Sequence, residues 1–160
     1  MLIREFEAGD LPALQRIRQI AFAPIFQSFR AIVGQAIGET AFSCADAEQA
    51  KLLSDICAMQ SRYTVLVAVF DREIAGFVSY AVDDATRVGE IGLNAVDPSH
   101  AGKGIGTALY LHALARMKEA GMAVATVSTG ADPSHAPARR AYSKAGFGHA
   151  LPSMSLYRLL

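Results

Sequence analysis

The segment Val96-Asp97-Pro98-Ser99-His100-Ala101-Gly102-Lys103-Gly104-Ile105-Gly106-Thr107 sets three glycines between a strand-like run and a long apolar helical pattern. Glycine has no Cβ and lets backbone come close to a ligand. The first amides of a helix have no intrahelical partner and lie at the positive end of its dipole, so this junction can cradle a phosphate or pyrophosphate. Lys103 adds a cation at the same place. The plainer alternative is a tight strand-to-helix turn that binds nothing. Spacing excludes two other phosphate loops. A Walker loop needs a second glycine followed by Lys and Ser or Thr, whereas Gly106 is followed by Thr107 and Ala108. A dinucleotide fingerprint belongs to the first strand of a βαβ unit, whereas Gly102-x-Gly104-x-Gly106 follows several strands.

The elements that must position this loop are legible from periodicity. Leu2 to Phe6 reads as a first strand, and Asp10 with Pro12 marks a helix start running to about Phe22. Ile25, Phe29, Ile32 and Val33 predict a second amphipathic helix, bounded by Pro24 and Gly34, and residues 46–60 a third. From Thr64 the pattern becomes β-branched: Val65 to Phe70, a turn at Asp71-Arg72, and Ile74 to Val82 predict a hairpin. Glu90 to Val96 alternates, with Ile91, Leu93 and Ala95 on one face and Glu90, Gly92, Asn94 and Val96 on the other. A helix over 104–120, a strand over 123–129, a helix over 137–145 stopped by Gly146 and a last strand over 154–160 complete the order. There is no internal repeat. The order predicts an α/β sandwich, a mixed, mostly antiparallel sheet flanked by helices.

With 160 residues, the chain is expected to form one domain spanning 1–160. Its 52% hydrophobic content against 19% charged excludes a disordered chain. Net charge is zero, so no global field draws it to nucleic acid or anionic lipid. The charge is unevenly spread, though: residues 1–98 hold 8 basic and 13 acidic side chains, net −5, and residues 99–160 hold 7 and 2, net +5, with all four histidines. The C-terminal part favours an anion. Cys44 and Cys57 form no C-x-x-C pair, so neither a zinc site nor a disulfide scaffold is indicated. From the charged start no signal peptide is expected, and runs such as Val65 to Phe70 fall far short of the ~20 residues of a membrane helix. A cytoplasmic protein with no membrane partner, no nucleic-acid partner and no metal is the expectation.

Ala101-Gly102-Lys103-Gly104-Ile105-Gly106 resembles the signature of the GNAT superfamily of acyl-CoA-dependent N-acyltransferases: Gln or Arg, two residues, Gly, one residue, Gly or Ala, opening a helix after a strand. Ala101 stands at the Gln or Arg position, a departure that leaves the backbone cradle whole. The run Ala138-Arg139-Arg140-Ala141-Tyr142-Ser143-Lys144-Ala145-Gly146-Phe147 is similar to a second signature of that family, an alanine-rich helix with Tyr and then Gly-Phe. His135 stands where many members have Asn. The two signatures occur in the family's order, with Tyr142 36 residues after Gly106.

The resemblance implies acetyl-CoA as co-substrate and a sheet whose fourth and fifth strands splay into a V-shaped cleft. Pantetheine would pair with backbone at Ala95 and Val96, and pyrophosphate would rest on Gly102, Lys103, Gly104, Ile105, Gly106 and Thr107, with His135 and Tyr142 as further cofactor contacts. Arg139, Arg140 and Lys144 are within reach of phosphates or else form a solvated helix face. In such chemistry a neutral amine attacks the thioester and the departing thiolate is best protonated. Tyr142 occupies the family's general-acid position; Tyr110 and Tyr157 are weaker candidates. Strand parity makes Glu90 the best carboxylate to take the amine's proton, ahead of Asp83, Asp84 and His112. Within the aromatic-rich acceptor segment from Ala21 to Arg30, Phe26 and Arg30 are the residues to test for substrate binding. The acceptor is a small-molecule or peptide amine, and a homodimer is compatible with the resemblance, since many relatives pair through sheet edges. The competing reading is a non-catalytic acyl-CoA- or partner-binding module of the same fold.

Overall fold

The computed structural model describes all 160 residues. Five strands lie side by side in chain order: β1 (Leu2–Glu5), β2 (Thr64–Phe70), β3 (Glu73–Asp83), β4 (Val88–Val96) and β5 (Val124–Val127). The first four pair antiparallel and β4 pairs with β5 in parallel, which makes the mixed sheet expected from the element order. Asp71 and Arg72, both at positive φ, close the β2–β3 hairpin in a two-residue turn whose twist suits the strands it joins. The helices are α1 (Leu11–Val33), α2 (Gln35–Ala41), α3 (Ala45–Ile56), α4 (Ile105–Glu119) and α5 (Ala136–Lys144). None is long and apolar enough to cross a membrane.

Each sheet face carries its own core. Leu66, Val78, Tyr80 and Ile91 pack beneath Ile105, Leu109, Ala113 and Met117 of α4 and Tyr142 of α5. On the other face Val65, Val67, Phe77 and Ala95 pack beneath Leu14 and Ile17 of α1 and Leu53 and Ile56 of α3.

Three expectations are corrected. The two helices anticipated on either side of Pro24 are one continuous α1, because Leu14, Ile17, Ala21, Ile25 and Phe29 form one inward stripe across the proline, which sits on the exposed side. A proline there costs one backbone hydrogen bond on the solvent side and leaves the packing intact. The last strand anticipated over 154–160 does not form: the segment is exposed and pairs with no strand, although Tyr157 packs its ring on Phe42 at 5.8 Å. A strand pattern needs a partner edge, which periodicity does not supply.

The third correction concerns the parity of β4. Val78 opposes Asn94 but Tyr80 opposes Ile91, so the single residue Ser79 faces two, Gly92 and Leu93. This bulge moves Ile91 onto the α4 face together with Asn94 and Val96, while Glu90, Leu93 and Ala95 face α1. Glu90 therefore stands on the face opposite Asn94, not beside it. Two residues favour the bulge. Ser79, fully buried, donates its hydroxyl to the Leu93 carbonyl at 2.9 Å. A Cβ on Gly92 would come within 2.7 Å of both Ser79 Oγ and the Tyr63 ring, so only glycine fits there.

Pairing between β4 and β5 runs from Val88↔Val124 to Ile91↔Val127 and stops, and Gly92 to Val96 continue with no β5 partner. Both strands then enter the same tetrapeptide, Asp-Pro-Ser-His, at 97–100 and 132–135. Each folds as a short 3-10 turn in which the Asp carboxylate accepts the Ser amide. α1 ties both: Arg16 pairs with Asp97 at 2.9 Å, and Ser28 donates to Asp132 at 3.1 Å.

Both carboxylates are held at about 2. For Asp97 the Ser99 hydroxyl and amide dominate, with Arg16 adding to them. For Asp132 burial pushes upward but is outweighed by bonds from Ser134, His135 and Ser28. Unfolded aspartate titrates near ~3.9, so this stability is present above about pH 4 and is lost as pH falls through about 2. Urea midpoints should fall between about pH 4 and about pH 2, and the Asp97→Asn, Asp132→Asn double variant should show a flatter fall over that window. Equal slopes would contradict the assignment.

Candidate functional site

A cleft of about 690 Å³ opens where β4 and β5 part. It runs from Ala21, Phe22, Ile25 and Leu52 on the α1 side, past Glu90 to Val96, to the glycine loop and the α5 residues Ala138, Ala141 and Tyr142.

The glycine loop is built to expose backbone. Gly104, at φ 78°, caps α4 in the left-handed conformation, and nothing lies within 4 Å of where its Cβ would be. The first backbone bond into the helix joins the Ala108 amide to the Gly104 carbonyl at 3.0 Å, and the amides of Ile105, Gly106 and Thr107 find no acceptor in the protein. Three unsatisfied donors thus converge at the positive end of a 15-residue helix, which fits a phosphate or pyrophosphate group. Gly106 lies against Val96 and Tyr110, its Cβ position 3.6 to 3.8 Å from them, which brings the loop against the β4 edge. Lys103 does not reach into the cradle: its ammonium sits 4.7 Å above the Phe70 ring.

Deeper in the cleft stands a hydrogen-bonded trio. Tyr110 donates to Asn94 Oδ1 at 2.7 Å, and Asn94 Nδ2 donates to the Tyr142 oxygen at 3.0 Å and to the Gly92 carbonyl at 2.9 Å. The two tyrosine rings pack 4.7 Å apart. With Asn94 Oδ1 already held by Tyr110, the Tyr142 hydroxyl has only a long, 3.4 Å alternative for its own proton inside the protein, so that proton is available to the cleft. Burial raises the Tyr142 pKa above its ordinary value, against the lowering effect of Asn94 and of the neighbouring Tyr110 hydroxyl, and burial raises that of Tyr110 as well. Both stay protonated donors at neutral pH. Asn94 was not singled out among the sequence candidates; the signal was a lone amide on an otherwise apolar stretch of β4, readable only once the bulge fixes its face.

The remaining candidates divide. Ala95 and Val96 line the cleft along the unpaired β4 edge. Glu90 lines its α1 side but is paired with Arg62 at 2.6 Å, and Arg62 also donates to the Tyr63 hydroxyl. His135 lines the β5 arm, its Nδ1 2.6 Å from Asp132 Oδ1 and its ring stacked on Phe29. Arg140 and Lys144 line the cleft, whereas Arg139 is committed to the carbonyls of Gly130 and Asp132. Phe26 and Arg30 are not brought to the cleft: Phe26 packs on Phe22, and Arg30 donates to the Phe42 carbonyl while packing over Gly38. Phe22 and Ile25 take the wall instead.

The chain matches the family model described as the Acetyltransferase (GNAT) family over residues 30–147. A mycothiol acetyltransferase of Sanguibacter keddieii is 38% identical over 98 residues, 58% of this chain and 30% of that protein, so the chain spans less than a third of that relative's length. Among solved structures, an aminoglycoside antibiotic 6'-N-acetyltransferase from Acinetobacter haemolyticus superposes with TM-score 0.68 at 14% identity, covering 100% of this chain and 99% of its own. The ribosomal-protein-S18-alanine N-acetyltransferase of Escherichia coli gives 0.65 at 22%, over 94% and 79%. A PaiA N-acetyltransferase of Thermoplasma acidophilum, solved with coenzyme A, gives 0.69 at 21%, over 92% and 89%. At these identities the likeness is one of fold.

The trio makes a local prediction. Asn94→Ala leaves two buried hydroxyls without their partner and should cost about 1–3 kcal/mol in urea unfolding, and in a cycle with Tyr110→Phe the two losses should not add. Strict additivity would contradict the trio.

Proposed function

Because the chain belongs to the GNAT acetyltransferase family, we propose that it transfers an acetyl or short acyl group from acetyl-CoA to a primary amine by direct attack in a ternary complex. The observation that carries this reading is one continuous cleft that joins the three unsatisfied amides of α4 to the free hydroxyl proton of Tyr142. Ile105, Gly106 and Thr107 would hold the pyrophosphate, with Arg140 and Lys144 nearby for further phosphate charge. The β4 edge at Ala95 and Val96, open because β5 has turned away, would take the amides of pantetheine as a strand takes a neighbour.

Tyr142 would act at the departing sulfur. As the amine nitrogen bonds to the thioester carbon and the carbon–sulfur bond breaks, the sulfur takes the phenolic proton, and the second proton of the nascent amide nitrogen restores the phenol. Asn94 keeps the hydroxyl aimed by occupying its lone pair. Neither cysteine is needed as an acyl carrier: both are free, both lie outside the cleft lining, and burial pushes the Cys57 thiol up to about 11.

The acceptor enters from the α1 side, past Phe22, Ile25 and Leu52. A panel of amines that includes an aminoglycoside and an alanine-terminated peptide, read by release of free CoA, should identify the class. Tyr142→Phe should lower kcat about 100-fold with CoA affinity in calorimetry unchanged. Unaltered turnover in that variant would remove Tyr142 from the chemistry, and CoA binding without release of CoA to any amine would favour the binding module.

A further inference from the structure

We propose that His135, held by Asp132, is the group that takes the proton from the acceptor amine, an assignment that rests on the acyl-transfer reading above. The two copies of Asp-Pro-Ser-His fold alike but distribute charge differently. In the first, Asp97 is matched by Arg16 at 2.9 Å, and His100 turns its Nδ1 to Ser99 Oγ at 2.9 Å. In the second, α1 presents Ser28 where an arginine would be, and the ring nitrogen that meets the Asp132 carboxylate is Nδ1 of His135, 2.6 Å from Oδ1.

A carboxylate on Nδ1 fixes the proton there and leaves the Nε2 lone pair free, and it stabilises the imidazolium once formed. Both side chains are largely enclosed, 15% and 12% exposed. The ring is stacked on Phe29 at 5.7 Å and 20°, and the Gly130 backbone packs so close that a Cβ there would meet Nδ1 at 2.5 Å. The charged groups around it are Asp132 on its own turn and Arg139 of α5, whose guanidinium is spent on the Gly130 and Asp132 carbonyls; α1 faces it with Ser28 and Phe29. Across the cleft, Glu90 already carries a cation, Arg62, at 2.6 Å.

His135 lines the cleft and packs on α1, so it belongs to the side from which the acceptor enters. The ammonium gives one proton to Nε2, and the freed amine forms the carbon–nitrogen bond as the carbon–sulfur bond breaks; the sulfur leaves with the Tyr142 proton, the surplus proton of the new amide nitrogen restores the phenol, and the imidazolium returns its proton to water.

The test combines acyl-transfer rates across pH with calorimetry and nitrogen NMR of the imidazole, on the parent, His135→Asn and Glu90→Gln. The parent should show the Nδ1–H tautomer at His135. At CoA concentrations that calorimetry shows to saturate each protein, His135→Asn should lose about 100-fold or more in kcat/KM for the amine, lose the acidic limb of the pH profile, and regain part of its rate when imidazole is added. A structural role alone would move neither the limb nor the rescue. Retention of rate and limb by His135→Asn, or transfer of the limb's loss to Glu90→Gln, would overturn the assignment while leaving acyl transfer intact. No transfer by the parent to any amine would sink the acyl-transfer reading and this assignment together.

Discussion

The structure turns on the place where β4 and β5 stop pairing. Four residue pairs hold the two strands in parallel, ending at Ile91↔Val127, and beyond them β4 runs on alone for its last residues. An open strand edge normally invites unwanted association. Here it faces a cleft, and Gly92 to Val96 line that cleft without a β5 partner. The arms do not close again because each is seized by the same α-helix: Arg16 of α1 on the turn after β4, Ser28 on the turn after β5. Twelve residues of helix span roughly 18 Å, so α1 acts as a rigid brace between the two turns.

Beside the parting sits the β4 bulge, which decides what each face of the cleft can do. Asn94 is sent to the α4 and α5 side, where it orders Tyr110 and Tyr142, and Glu90 is left on the α1 side with Arg62. The Tyr142 hydroxyl and the α1 wall of the cleft are thereby put on opposite faces of one strand. Two small residues maintain this. Gly92 gives the room and Ser79 supplies the hydroxyl that satisfies the Leu93 carbonyl.

Much of this was readable in the chain itself. The β2–β3 hairpin, the glycine loop, α4 and α5 follow from local signals: β-branched runs, turn residues and helical spacing act over a few residues and need no partner, whereas Tyr142 stands out through the family resemblance of the α5 run. What was not readable depends on contacts distant in sequence. The bulge reverses the parity that alternation assigned to Glu90, because it is set by Ser79 and Tyr63 from other segments. Pro24 does not break α1, because the stripe under it is already packed. Arg139 and Lys103, plausible phosphate cations by composition, are spent on carbonyls and on an aromatic face. The net +5 of the C-terminal part is therefore expressed at the cleft through Arg140, Lys144 and backbone amides rather than through every basic residue.

The proposed chemistry requires that the free amides at the start of α4 receive a pyrophosphate. Amide NMR of the parent protein titrated with CoA, and separately with pantetheine, which lacks the pyrophosphate, tests it directly. CoA should displace the resonances of Ile105, Gly106 and Thr107 together with those of Ala95 and Val96, whereas pantetheine should move the β4 pair alone. Saturation by CoA that leaves the three α4 amides unmoved, or equal displacement of them by pantetheine, would contradict the account.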